Sequence, residues 1–168
     1  MNTQIKFDEY KMLIDDSARF SERRQSVTNT YITVNSLLLT AIAFIYKDSG
    51  ADNLWVVLLP IPLVAAGVYV SIWWYQLIQK YKNLVGLRMN ILYKMEDVKE
   101  LAELEKVYHI EEAEYYPRDE EGNMIADKVT AFSDVEGNLP IMFGILHVIF
   151  GGFILVTFFG RVVMSIFS

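Results

Sequence analysis

The sequence predicts an all-α membrane protein with three transmembrane helices, the first two extended into the cytoplasm as an antiparallel helical pair. Three observations carry this. Residues 25–46, 53–79 and 137–160 contain no Asp, Glu, Lys or Arg. Each stretch is long enough to cross a bilayer, which takes about 20 mostly apolar residues in a helix. Helical apolar spacing continues before the first stretch and after the second. Finally, the cationic residues fall almost wholly on one side of the three stretches.

Composition bounds the class. The chain has 168 residues, is 53% hydrophobic and has a mean hydropathy of +0.25, too apolar for an ordinary soluble domain of this size. A net charge of −6 argues against nucleic acid as a partner. There is no cysteine, which excludes disulfides, thiolate catalysis and Cys-ligated metals. The first 24 residues are highly charged, so no cleavable signal peptide is visible. The first apolar run is too long for a signal sequence and is expected to stay in the mature protein.

Residues 1–24 carry Phe7, Tyr10, Leu13, Ile14 and Phe20 at helical spacing, with acids and arginines between them. No Gly or Pro separates this segment from the span at 25–46. One continuous helix from Phe7 to Tyr46 is expected, its first half upright in the cytoplasm. A helix lying flat on the inner membrane surface is the alternative, but Asp8, Asp15, Asp16 and Glu22 suit an anionic lipid surface badly.

Span one (25–46) is polar at its inner end, with Ser26, Thr28, Asn29, Thr30, Thr33, Asn35 and Ser36. Such groups are costly against lipid unless they are bonded within or between helices. Asn29 fits the wet interface; Asn35 lies deeper and fits a helix–helix contact. The loop 47–53 is short and contains Gly50 and Asp52, so spans one and two are antiparallel neighbours. Span two (54–79) holds Pro60 and Pro62, which are expected to bend its outer half. Such breaks mark binding sites in some transporters; packing kinks are the simpler account.

Residues 80–106 continue the helical pattern. Leu77, Tyr81, Leu84, Leu87, Ile91, Met95, Val98 and Leu101 recur at a spacing near 3.5, as along a coiled-coil seam. A helix reaching Lys106 is expected, paired with the N-terminal one. Two amphipathic helices do not bury their faces fully alone, so Leu84, Ile91 and Val98 are candidates for oligomer packing.

Residues 107–137 are acidic, hold Tyr108, Tyr115 and Tyr116, and contain the turn-forming run Pro117-Arg118-Asp119-Glu120-Glu121-Gly122-Asn123. An ordered, irregular or short-element segment is expected. Pro140 falls where the first turn of span three (138–160) begins, a position that proline tolerates. Within that span Gly144 and Gly151 are seven residues apart and His147 lies on the same face. Small residues there permit close helix approach. The tail, 161–168, follows.

Thirteen of the 15 Lys and Arg residues lie before span one or between spans two and three; only Lys47 and Arg161 lie elsewhere. The positive-inside rule then puts the N-terminus and the middle segment in the cytoplasm, and the C-terminus outside. Tyr46 and Trp55 mark the outer interface, and Trp73, Trp74 and Tyr75 the inner one.

Few residues carry chemistry. His147 is the ionisable group well inside a span, which invites a proton relay or pH sensor. The simpler reading is a neutral histidine donating one hydrogen bond to Asn35 or Thr33 of a neighbouring helix. His109 stands near Glu111, Glu112 and Glu114, but one histidine among acids is a weak metal site. There is no phosphate-binding glycine loop, paired-histidine zinc motif or serine nucleophile setting. No catalytic residue, cofactor or metal is expected. Arg23 and Arg24 precede span one, where they serve as a positive-inside anchor and as candidates to pair with the acidic segment, including Glu136.

The order Tyr10…Ser17-Ala18-Arg19…Ser21…Arg23-Arg24-Gln25…Asn29…Tyr31…Val34-Asn35, then Tyr81…Leu84…Lys94-Met95-Glu96, then Glu136…Leu139-Pro140, resembles the RipA-like bacterial inner-membrane proteins. The resemblance implies a small, three-span, octameric protein linked in pathogens to growth inside host cells. It implies no catalytic activity or ligand. Three functions fit the sequence: a homo-oligomeric scaffold whose cytoplasmic layer recruits a protein partner, an oligomeric channel, and a membrane-permeabilising defence effector.

Overall fold

The computed structural model describes residues 3–48, 54–98, 105–115 and 132–167. Every regular element among them is helical: α1 (Thr3–Asp48), a 3-10 helix (Leu54–Leu58), α2 (Ile61–Glu96), α3 (Val107–Tyr115) and α4 (Phe132–Phe167). Helices α1, α2 and α4 are long and apolar enough to cross a membrane. At 1.5 Å per residue, the 46 residues of α1 extend roughly 70 Å, more than twice the thickness of a bilayer's hydrocarbon core. The predicted loop residues 49–53, the region 99–104 with seam residue Leu101, and 116–131 with the Pro117–Asn123 turn lie outside the described residues.

The chain folds as two compact units. A charged unit combines the start of α1, up to Gln25, with residues 78–136. An apolar unit combines residues 26–77 with residues 137–168.

In the apolar unit three helices share one core of Ile42, Val57, Val64 and Ile154, with Tyr46, Ile61, Leu63, Phe150 and Phe158 packed around it. Tyr31 stacks on Trp74 at 5.7 Å, and Trp74 meets Phe143 at 5.9 Å. Tyr46 reaches α4 through Phe153 and donates its hydroxyl to Thr157 at 3.2 Å. Trp55, Trp73 and Tyr75 are exposed, as interfacial aromatics should be. Trp74 is fully buried, so it belongs to the core and not to the aromatic belt.

In the charged unit α1 and α2 run antiparallel, with Tyr10 opposite Glu96 and Asp16 opposite Arg88. Their core is Tyr10, Leu92 and Met95, joined by Leu13, Ile14, Met89 and Tyr108.

Four local expectations are corrected. First, Pro60 and Pro62 start α2 instead of bending it. The 3-10 helix ends in a turn at Leu59 and Pro60, the Pro60 carbonyl accepts the first α-type bond from Val64 N–H at 3.0 Å, and Pro62 sits in the first turn. First-turn N–H groups have no in-helix partner, so proline loses nothing there. Second, α2 stops at Glu96, ten residues short of Lys106. Its last turn closes with Val98 N–H on the Met95 carbonyl, and a separate helix, α3, begins at Val107. Third, α4 begins at Phe132, so Pro140 lies inside the helix and not in its first turn. Fourth, the α2 seam is rotated. Leu92, Met95 and Glu96 are buried, whereas Leu87 and Ile91 are 57% and 40% exposed. Leu84 and Val98 are half-buried.

Candidate functional site

Each unit holds a buried ionisable side chain at its centre. In the charged unit it is Glu96, 4% exposed. One carboxylate oxygen accepts from the Tyr10 hydroxyl at 2.8 Å and the Tyr108 amide at 3.0 Å. The other accepts from the His109 amide at 3.1 Å and from His109 Nδ1 at 2.7 Å. The two amides belong to the first turn of α3, whose N–H groups point out of the helix unsatisfied. Glu96 is thus an N-cap supplied from another helix, with its charge at the positive end of the α3 dipole. Burial pushes the Glu96 carboxyl up; the hydrogen bonds from His109, the α3 amides and Tyr10 together outweigh this, so it titrates below its ordinary value. Burial and the bond to the Glu96 carboxylate push the Tyr10 phenol well up. The His109 ring stacks on Tyr93 at 3.8 Å, and its Nε2 lies 3.4 Å from Asp97, which pairs with Lys106 at 2.6 Å. With two hydrogen bonds on each oxygen, Glu96 acts as a joint between α1, α2 and α3.

Two ion pairs extend this unit. Arg24 Nε lies 3.1 Å from Glu136, both side chains being largely buried. Arg88 covers the Phe20 ring at 3.7 Å while holding Asp16 at 2.7 Å. Arg23 is exposed and approaches the same ring at 5.8 Å.

In the apolar unit the centre is His147, fully buried on α4. Its Nδ1–H donates to the Phe143 carbonyl at 2.7 Å, inside its own helix. No bond to Asn35 or Thr33 forms: Nε2 rests against Gly67 of α2 with no hydrogen-bond partner among the described residues. The fit is so close that a Cβ on Gly67 would overlap the ring. The glycine face of α4 continues the contact: a Cβ on Gly151 would come within 2.9 Å of Val64, and one on Gly144 within 3.6 Å of Ser71. Gly144, His147 and Gly151 therefore face α2 of the same chain. Beside them runs a buried polar chain. Asn35 donates to the Tyr31 carbonyl at 2.9 Å, and the Ser71 hydroxyl, with one hydrogen, is shared between Asn35 Oδ1 at 3.1 Å and the Gly67 carbonyl at 2.9 Å.

The sequence pattern assigned Glu96 no role and counted Tyr10 as an apolar position. The missed signal is Glu96 four residues after Leu92, on the buried face, together with a tyrosine whose hydroxyl needs a partner once buried. Gly67 was missed because nothing in its own segment announces a histidine on another helix. No group of three metal-ligating side chains gathers among the described residues.

Three bilayer-length helices around a close-packed apolar unit, with a charged helical unit built from the same long helices, define a small multi-pass α-helical membrane protein. Residues 7–156 match the model of the octameric membrane protein family, and the chain belongs to that family. No curated protein and no solved structure matches it.

Proposed function

We propose that this protein is a non-enzymatic homo-octamer of the bacterial inner membrane, with its N-terminus and charged unit in the cytoplasm and its C-terminus outside. Its role is structural: the charged units form a helical layer that recruits a cytoplasmic protein. The RipA-like resemblance ties that role to growth of pathogens inside host cells. The observation that carries the reading is the combination of two engaged centres with an unsatisfied surface. Glu96 and His147 hold helices together, while Leu87, Ile91, Val107 and Ile110 of the charged unit are 40–57% exposed outside the spans. Apolar side chains displayed in this way mark contact surfaces. Native mass spectrometry in mild detergent tests the assembly: eight copies of the 19.4 kDa chain are expected, and a monomer sinks the proposal. Protease access to the N-terminus in inside-out vesicles tests the orientation.

A second reading is an oligomeric channel or permeabilising effector. Asn29, Thr33, Ser36 and Thr40 are exposed along span one, where an oligomer can turn them toward a water path. Ion flux in liposomes supports this reading; its absence at every voltage and pH sinks it. Depolarisation and toxicity on overexpression are the marks of the effector.

A further inference from the structure

The charged unit exposes two unlike apolar surfaces. One is a stripe on α2. Lys80, Leu84, Leu87, Ile91 and Lys94 follow one another at offsets of four and three along a single helix face. Leu87 and Ile91 are 57% and 40% exposed, Leu84 is half-buried, and both lysines are exposed. The stripe is apolar in the middle, cationic at both ends and roughly 20 Å long. The other surface is a groove of about 390 Å³ between α1 and α3, lined by Phe7, Tyr10, Ile14, Glu105, Val107 and Tyr108. Phe7 and Val107 are 40% and 53% exposed there. Among the described residues its charged lining group is the carboxylate of Glu105.

Stripe and groove are complementary in charge: an apolar ridge ending in lysines and an apolar trough with a glutamate. They also differ from one another, which matters for assembly. A closed ring made by one repeated contact needs two different, mutually fitting surfaces on every subunit. Both surfaces lie on segments outside the three spans, so lipid does not cover them.

We propose that the Lys80–Lys94 stripe of one copy lies in the Phe7–Ile14–Val107 groove of the next, so that the ring closes through the charged units. This rests on the homo-oligomer reading above and assigns its contact. Lys94 or Lys80 then meets Glu105 at the rim, fixing register more than strength.

The absence of cysteine makes the test clean. Ile91→Cys and Val107→Cys are introduced singly and together into the full chain, in membranes, and oxidised; a disulfide forms only when the two Cα atoms come within about 7 Å. The double variant should give a ladder of covalent multimers. Each single variant should stay monomeric on a denaturing gel, and the two singles co-expressed should stop at dimers. Charge reversal at Lys94→Glu should lower the ladder yield, and Glu105→Lys added to it should restore the yield. Dimers from either single variant overturn the proposal, because like surfaces then meet. So does an internal disulfide in the double variant, because the chain then covers its own groove. A double variant that keeps its native octameric mass without a ladder overturns this contact and leaves the oligomer reading standing. A monomeric native mass overturns both.

Discussion

The charged unit and the apolar unit solve the same problem by different means. Each has an ionisable side chain at its centre, and the surroundings decide how it is held. Glu96 keeps its charge, which four hydrogen bonds from α1 and α3 surround. His147 makes one hydrogen bond, to its own helix, and is otherwise held by the shape of Gly67. Where water competes, a buried charge is retained only if donors replace its hydration. In a span nothing competes, so backbone-bonded neutral groups and close packing carry the contact. Directional bonding organises one unit and steric fit the other.

Four perturbations should separate the two modes. The largest effect is expected from Arg24→Glu, which sets a second carboxylate about 3 Å from the largely buried Glu136. Breaking such a pair costs about 3 kcal/mol, and the variant should lose stability and oligomer size in detergent. Adding Glu136→Arg should recover part of both. If Arg24→Glu keeps wild-type size and melting, the pairing does not hold the unit.

Gly67→Ala comes next. Its Cβ overlaps the His147 ring, and overpacking of this kind costs about 1–3 kcal/mol. The decisive measurement is rescue: His147→Ala should restore thermal stability in the Gly67→Ala background. No such rescue should follow from any polar substitution at position 147 that keeps the ring's bulk.

Glu96→Gln replaces an acceptor-only group with one that points donors at donors, at a cost of about 1.5–3 kcal/mol. Amide exchange should accelerate across Val107–Tyr115 while the spans stay protected. The same site predicts a pH dependence. Because the folded Glu96 titrates below its ordinary value of 4.5, its contribution is present above that pH and is lost as pH falls through the folded value. Wild-type α3 should loosen as acid passes below about 4.5, and Glu96→Gln should flatten the profile. The smallest effect is Tyr10→Phe, which removes one of the four bonds at a cost of about 1 kcal/mol and should leave the apolar unit unchanged.

The features that were legible in sequence are those written in one segment at a time. Three uncharged runs announce three bilayer-length helices because composition alone decides that. The unbroken join at Gln25 is legible because no breaker interrupts α1. The helix end at Glu96 was not legible, since its stop is tied to another part of the chain. Glu96 ends α2 while capping α3, a role visible only when Tyr108 and His109 arrive. The seam on α2 was placed about one position off because Leu87 and Ile91 are as apolar as Leu92. Only the presence of α1 distinguishes the side that it covers. His147 stood out as an ionisable residue in a span, but its partner is a glycine, the residue type with no side chain to advertise a contact.

The hydroxyls of span one have a consequence for biogenesis. Thr30, Thr33 and Thr40 each donate to the carbonyl four residues earlier, at 2.8–2.9 Å. Their protons are therefore spent before any neighbour is met. A newly inserted chain can turn these three threonines to lipid and later to another protein without stranding their donors in either state. A solitary subunit can therefore exist in the bilayer before it meets its partner copies.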